Sequence, residues 1–209
     1  MFEVEYKGAN SVAISTKKGT IVTDPKLSLV GLKDVNTKDL IEVATEARFA
    51  LNNETARLNI EGPGEYGIAD FDIHGIAAQR HLDADGKAST IYRIEAGEIR
   101  VALIGNIYEK LSEAQLEEIG LIDVLIIPVG GNGYTLDATG AATITRLVDP
   151  KIVVPIHFAD SAIKYEVPQD EFDTFAKELG APVEEAPKLK LKTAAALPEA
   201  LTIYKLARA

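Results

Sequence analysis

Two apolar runs constrain this chain more than any other feature of it. Ile122–Val129 reads IDVLIIPV, and from Lys151 the chain reads KIVVPI. A strand with one face in water alternates polar and apolar residues, whereas a run this continuous belongs to a strand buried on both faces. Each of these strands needs one layer packed above it and another below. Helices that can supply one layer are legible nearby. Ser112 and Gln115 form an S-x-x-Q capping box that opens a helix reaching about Gly120. Asp137–Asp149 reads as a second helix, and Pro168 and Gly180 bracket a third.

The first half of the chain has a different period. FEVEYK and SVAIST alternate every second residue, and Ser11–Asp24 reads as a hairpin around Lys-Lys-Gly. Leu40–Thr45 and Arg57–Glu61 are further strands, and Thr90–Glu95 pairs with Ile99–Ile104 across Ala-Gly-Glu. GPGEYG reads as a turn cluster followed by FDIHGIAA, and the type of Glu46–Glu54 stays open. Leu201–Leu206 gives a last strand. Strands first and βαβα afterwards, with no linker between, predict one α/β domain over residues 1–209.

Composition narrows the chemistry. There is no cysteine, which removes thiolate metal sites and a cysteine nucleophile, so a metal would have to sit on His, Asp, Glu or water. The net charge of −10 argues against nucleic acid as a partner. The one basic cluster, KLKLK at Lys188–Lys192, alternates as an edge strand protected by lysines would. No apolar run reaches the roughly 20 residues needed to cross a bilayer, and the N-terminus lacks a signal pattern, so a cytoplasmic protein with no membrane partner is expected. No serine lies in a G-x-S-x-G elbow. GGNGYTLD is a glycine-rich loop before a helix but lacks the Lys-Ser/Thr of a phosphate loop. His157, one of three histidines, follows the second apolar run; on residues alone it is either a ligand or a packed strand-end imidazole.

Several stretches point one way together. They are a strand ending in Thr23-Asp24-Pro25, then GPGEYGIADFDIHGI, then HLDADG, then ALIGN, IDVLIIPVGGNGYTLDA and PKIVVPIHF. In order and spacing they resemble the metallo-β-lactamase superfamily, and within it the small bacterial Zn-dependent hydrolases that include the ascorbate-lactonase-like proteins. The resemblance implies an αββα sandwich of two mixed β-sheets with flanking helices, and a metal site at one edge between the sheets. It also implies metal ligands at Asp24, His81 and His157.

The sequence departs from that family where its ligands are densest. An HxHxDH loop should follow the IEVAT strand, yet Glu46-Ala47-Arg48-Phe49-Ala50-Leu51 stands there without a histidine. The expected Gly-Asp is Gly105-Asn106, and the expected GHxS-like stretch is Gly8-Ala9-Asn10-Ser11. A catalytic zinc needs three protein ligands and an open water position. An arginine directed into such a site repels a cation and can replace it by pairing with a carboxylate, for which Glu46, Asp24 and Glu65 are candidates.

The expectation is a metallo-β-lactamase-fold protein that has lost most ligands of a dinuclear zinc site. It is a non-hydrolytic or strongly altered descendant with no cofactor or weakly bound zinc, taking a small-molecule ligand or a protein partner, with a homo-oligomer left open. The alternative is a lactone- or phosphodiester-type hydrolase using a reduced metal site on His81 and His157, with Asp24. A metal-free catalyst, with Glu65 or Glu46 as base and Arg48 holding an anionic substrate, is the third reading. Glu65, Asn106 and Arg48 are the candidate catalytic residues, and His74 reads as structural.

Overall fold

The computed structural model describes residues 1–81 and 88–209. The first half supplies β1 (Phe2–Gly8), β2 (Ser11–Ser15), β3 (Thr20–Thr23), β4 (Ile41–Ala44), β5 (Leu58–Glu61), β6 (Gly64–Ile68), β7 (Phe71–Gln79), β8 (Ala88–Ala96) and β9 (Ile99–Leu103). The second half supplies α1 (Glu113–Ile119), β10 (Val124–Pro128), α2 (Ala138–Val148), β11 (Ile152–Ile156), α3 (Phe172–Leu179), β12 (Val183–Ala186), β13 (Leu189–Leu191) and β14 (Thr202–Leu206). Two mixed sheets result, in the orders β13-β1-β2-β3-β4-β5 and β12-β14-β11-β10-β9-β8-β7-β6.

The continuous apolar runs are explained by which neighbours each face meets. Val124, Ile126 and Val154 point between the sheets, where they join Val4, Ile14, Ile21 and Ile41 of the first sheet. Leu125, Ile127 and Val153 point the other way, onto Ile119 of α1, Ile144 of α2 and Phe175 of α3. Both faces of β10 and β11 therefore bury hydrocarbon, worth roughly 25 cal/mol per Å² removed from water. The capping box of α1 is formed in full, with Ser112 accepting from the Gln115 amide. No helix among the described residues is long and apolar enough to cross a membrane.

The three α-helices flank the second sheet, while loops cover the outer face of β4. Glu42 points outward there and is buried. Its carboxylate accepts from the Leu51 and Asn52 amides (2.6 and 2.8 Å) and from the Thr37 hydroxyl (3.0 Å). These bonds settle the segment whose type the sequence leaves open. Ala47–Phe49 is a single 3-10 turn, and the chain beyond it is tied back to β4. Arg48 is thereby held at the end of β4 beside β3.

Lys188–Lys192 contains the edge strand β13, and its lysines are matched by β1, with Lys188 2.6 Å from Glu3 and 3.2 Å from Glu5. Two strands differ from the sequence reading. β12 has no alternation, because its residues are exposed or half-buried at a sheet edge. GPGEYG confines its turn to Gly62-Pro63 and continues as β6. Gly75 on the neighbouring strand lets that turn approach, since a Cβ there would lie 2.7 Å from the Gly62 carbonyl oxygen.

Candidate functional site

Parallel pairing of β3 with β4 sets Thr23 opposite Val43, so the residues just beyond both strands meet. Asp24 turns into the left-handed region at φ 43°, which a short polar side chain tolerates better than most. Its amide donates to the Val43 carbonyl (2.9 Å). Its carboxylate accepts twice from Thr45, from the amide to Oδ1 and from the hydroxyl to Oδ2, each at 2.7 Å. Burial pushes the Asp24 carboxyl up to about 7, the Thr45 bonds oppose this, and Glu46 adds to it.

Glu46 is the centre of the charged cluster. Its side chain is 4% exposed, and Oε2 lies 2.9 Å from Nε of Arg48 and 2.8 Å from Nε of Arg80. Arg48 also donates from Nη2 to Oε1 (3.2 Å), as does the Asn106 side-chain amide (3.3 Å). Of the three carboxylates expected to partner Arg48, the structure puts Glu46 there. Arg48 lies over the rings of Phe49 (4.5 Å) and Tyr134 (5.3 Å), which hold the guanidinium plane by cation–π attraction. Asn106 is fully buried at the end of β9 with Oδ1 unpartnered.

Gly105 allows this packing. A Cβ there would lie 2.7 Å from the Thr45 side chain that holds Asp24. Gly105→Ala is expected to cost about 1–3 kcal/mol by overpacking, read as a lowered urea midpoint, and an unchanged midpoint would show that Thr45 has room to move.

His157 follows β11 at φ 52°, with its amide donating to the Ala9 carbonyl (3.0 Å). Its Nδ1 lies 3.1 Å from Oε1 of Gln169. Gln169 Nε2 donates to the Val167 carbonyl, so an oxygen faces the imidazole and the ring proton is assigned to Nδ1. The ring stacks on Tyr134 (5.5 Å) and tilts against Tyr165 (4.7 Å). Burial pushes His157 down to about 4, the Gln169 bond opposes this, and Arg48 adds to it, so the ring is neutral near pH 7. Gly130 makes the close approach possible, since a Cβ there would lie 2.2 Å from the His157 carbonyl oxygen. Asn10, at the expected histidine-containing stretch, is buried with both side-chain polar atoms unpartnered.

Other expectations fall elsewhere. His81 accepts no carboxylate partner among the described contacts; its Nδ1 lies 3.1 Å from the Ile107 carbonyl oxygen and its amide donates to Asn106 (2.9 Å). Residues 82–87, most of the HLDADG motif, lie outside the described residues. Glu65, expected as a catalytic base or arginine partner, lies away from the Glu46 contacts with Arg48 and Arg80. It is 85% exposed on β6, opposite His74, because a strand rather than a turn alternates its side chains. Tyr66 and Ile68 take the inward face instead. The Gly-rich loop offers α2 no open N-terminus, because Asp137 already caps it through the Gly140 amide (2.7 Å).

The donor set among the described residues does not fit a zinc centre. Among the described residues no group of three or more His, Asp and Glu side chains is placed to hold a metal ion. Asp24 is spent on Thr45, and Glu46 on two guanidinium groups whose charge opposes a cation nearby. Sequence reasoning missed Arg80, Thr45, Gln169 and Tyr165. Arg80 stood beside His81 as a visible charge, but the other three act through distances that spacing does not encode. In front of the cluster opens a cleft of 480 Å³, lined by Thr45, Glu46, Arg48, Glu61, Arg80 and Thr90 among others.

Comparison with known proteins bears on the same architecture. The chain is 23% identical to a candidate Zn-dependent hydrolase of the metallo-beta-lactamase superfamily from Thermotoga maritima, with TM-score 0.77 over 99% of this chain and 100% of that one. It superposes on Igni18, a metallo hydrolase of Ignicoccus hospitalis, at 16% identity and TM-score 0.68, over 99% and 94% of the two chains. A UPF0173 protein of Pyrococcus furiosus is 42% identical over 67 residues, which is 32% of this chain and 30% of that one. A UPF0173 metal-dependent hydrolase of Carboxydothermus hydrogenoformans is 42% identical over 43 residues, 21% and 19% of the two chains. These two matches thus span less than a third of either relative's length. The family model for the beta-lactamase superfamily domain matches residues 3–157. With its two-sheet sandwich and that match over most of its length, the chain belongs to the beta-lactamase superfamily.

Proposed function

We propose that this protein is a non-hydrolytic or strongly altered descendant of metal-dependent hydrolases, in which the former metal site has become a cleft for a small-molecule ligand. The observation that carries the reading is Glu46, a buried carboxylate engaged by both Arg48 and Arg80 at the end of β4. A metal-activated water needs a cation with an open position, and the two guanidinium groups paired with Glu46 support a reading without one. Asp24, bonded twice by Thr45, braces β3 against β4, and His157 packs as a neutral ring between Tyr134 and Tyr165.

The test is metal content by mass spectrometry on untagged chain expressed with added zinc and manganese, then desalted. The expected result is metal far below one per chain, with no metal-dependent hydrolysis of lactone, phosphodiester or thioester substrates. Near-stoichiometric metal, lost on His81→Ala or His157→Ala, would establish a second reading instead, a hydrolase on a reduced site. That reading draws on the hydrolase descriptions of the relatives and on the neutral His157, whose Nδ1–H bond to Gln169 leaves Nε2 as the unprotonated nitrogen.

A further inference from the structure

Arginine pairs with a carboxylate one to one when its purpose is to neutralise it. Among the described residues two guanidinium groups share the single carboxylate of Glu46 at the floor of the 480 Å³ cleft, which Glu61 also lines. Both reach water, the Arg48 side chain being 30% exposed and the Arg80 side chain 18%. A guanidinium has five N–H donors lying in its plane. Arg48 donates to Glu46 from Nη2, with Nε 2.9 Å from the other carboxylate oxygen, and its guanidinium lies over the rings of Phe49 and Tyr134. The result is a pair of anchored, partly desolvated guanidinium groups that still reach water, an arrangement that suits planar or tetrahedral oxyanions.

We propose that the Arg48–Arg80 cleft binds a small oxyanion, a carboxylate or phosphate group on a ligand that the cleft can enclose. This deepens the reading of a metal-free ligand site and rests on it. The cleft volume lies within the usual range for small-molecule sites, and its other polar lining residues, Thr45 and Thr90, are buried at its wall. Glu61 is exposed at the same cleft, and the chain carries a net charge of −10, so an extended polyanion would be repelled where a compact one is not.

The test is titration calorimetry on the full chain with inorganic phosphate and, separately, malonate, against sodium chloride at matched ionic strength. Metal content is measured on the same sample. Saturable one-to-one binding of either probe is expected, weakened roughly tenfold or more by Arg48→Gln and by Arg80→Gln, the effect of one lost charge-assisted contact. Binding of phosphate alone would assign a phosphoryl ligand, binding of malonate alone a carboxylate ligand, and both outcomes support the site. Glu61→Gln changes only an exposed charge, keeps the fold, and should tighten binding at low salt about two- to threefold. No saturable heat with either probe, or affinities that none of the three variants alters, would overturn the proposal. Absence of binding in metal-free protein overturns this inference alone. Binding that requires stoichiometric metal and vanishes with chelator overturns the metal-free reading as well.

Discussion

Replacing Asp24 by Asn is expected to stabilise the protein above pH 7 and to change how its stability depends on pH. The folded-state value of Asp24, about 7, stands above the roughly 3.9 of an unfolded aspartate. A group raised in this way contributes stability that is fully present below the unfolded value and is lost as pH rises through the folded value. About three pH units of separation correspond to about 4 kcal/mol. His157 has the opposite sign, since its folded value of about 4 lies below the roughly 6.5 of an unfolded histidine. Its contribution is present above the unfolded value and is lost as pH falls through the folded one.

The two groups therefore oppose each other between about pH 4 and 6.5. Asp24→Asn removes one of them without emptying the site. An amide can accept from the Thr45 amide and donate to the Thr45 hydroxyl, in place of the two bonds the carboxylate accepts. Urea unfolding at several pH values should show the variant-minus-parent difference growing by a few kcal/mol from about pH 4 to pH 8. Parallel curves for the two proteins would mean that Asp24 ionises as an ordinary surface carboxylate.

Glu46→Ala should be the most damaging single change at the cluster. It strands Arg48 and Arg80 beside each other and frees the Asn106 amide. Removing one partner of a fully buried pair costs about 3–5 kcal/mol, but both arginines are partly solvated, which lowers the expectation to about 2–3 kcal/mol. That corresponds to a fall of roughly 5–10 °C in melting temperature for a chain this long. Glu185→Ala, which breaks the pair with Lys205 at a 70% exposed carboxylate, serves as the comparison. An exposed pair is worth about 0–1 kcal/mol. Equal effects at the two positions would show that the Glu46 cluster is ordinary surface charge.

Much of the architecture could be read without coordinates, because periodicity reports burial directly. The runs around Val124–Pro128 and Ile152–Ile156 had to be covered on both faces, and they are. The Ser112 capping box and the Asp137 start of α2 are local signals read from a few adjacent residues. β12 and β6 were not legible, since a half-exposed edge strand and a glycine-rich strand leave no alternation to count.

At the site, residue types alone indicated that a histidine-rich loop was missing and that Arg48 stood in its place. They did not place Glu65, whose orientation follows from strand alternation, nor reveal that Arg80, distant in the chain, converges on Glu46. What the sequence by itself determined was the layered α/β sandwich and the absence of histidine from Glu46–Leu51, because hydrophobic period and residue identity are properties of the chain taken locally. Which charges meet was decided only by the tertiary structure. Pairing Arg48 and Arg80 with one buried carboxylate depends on where the ends of β4, β7 and β9 arrive, and long-range packing of the two sheets sets those positions.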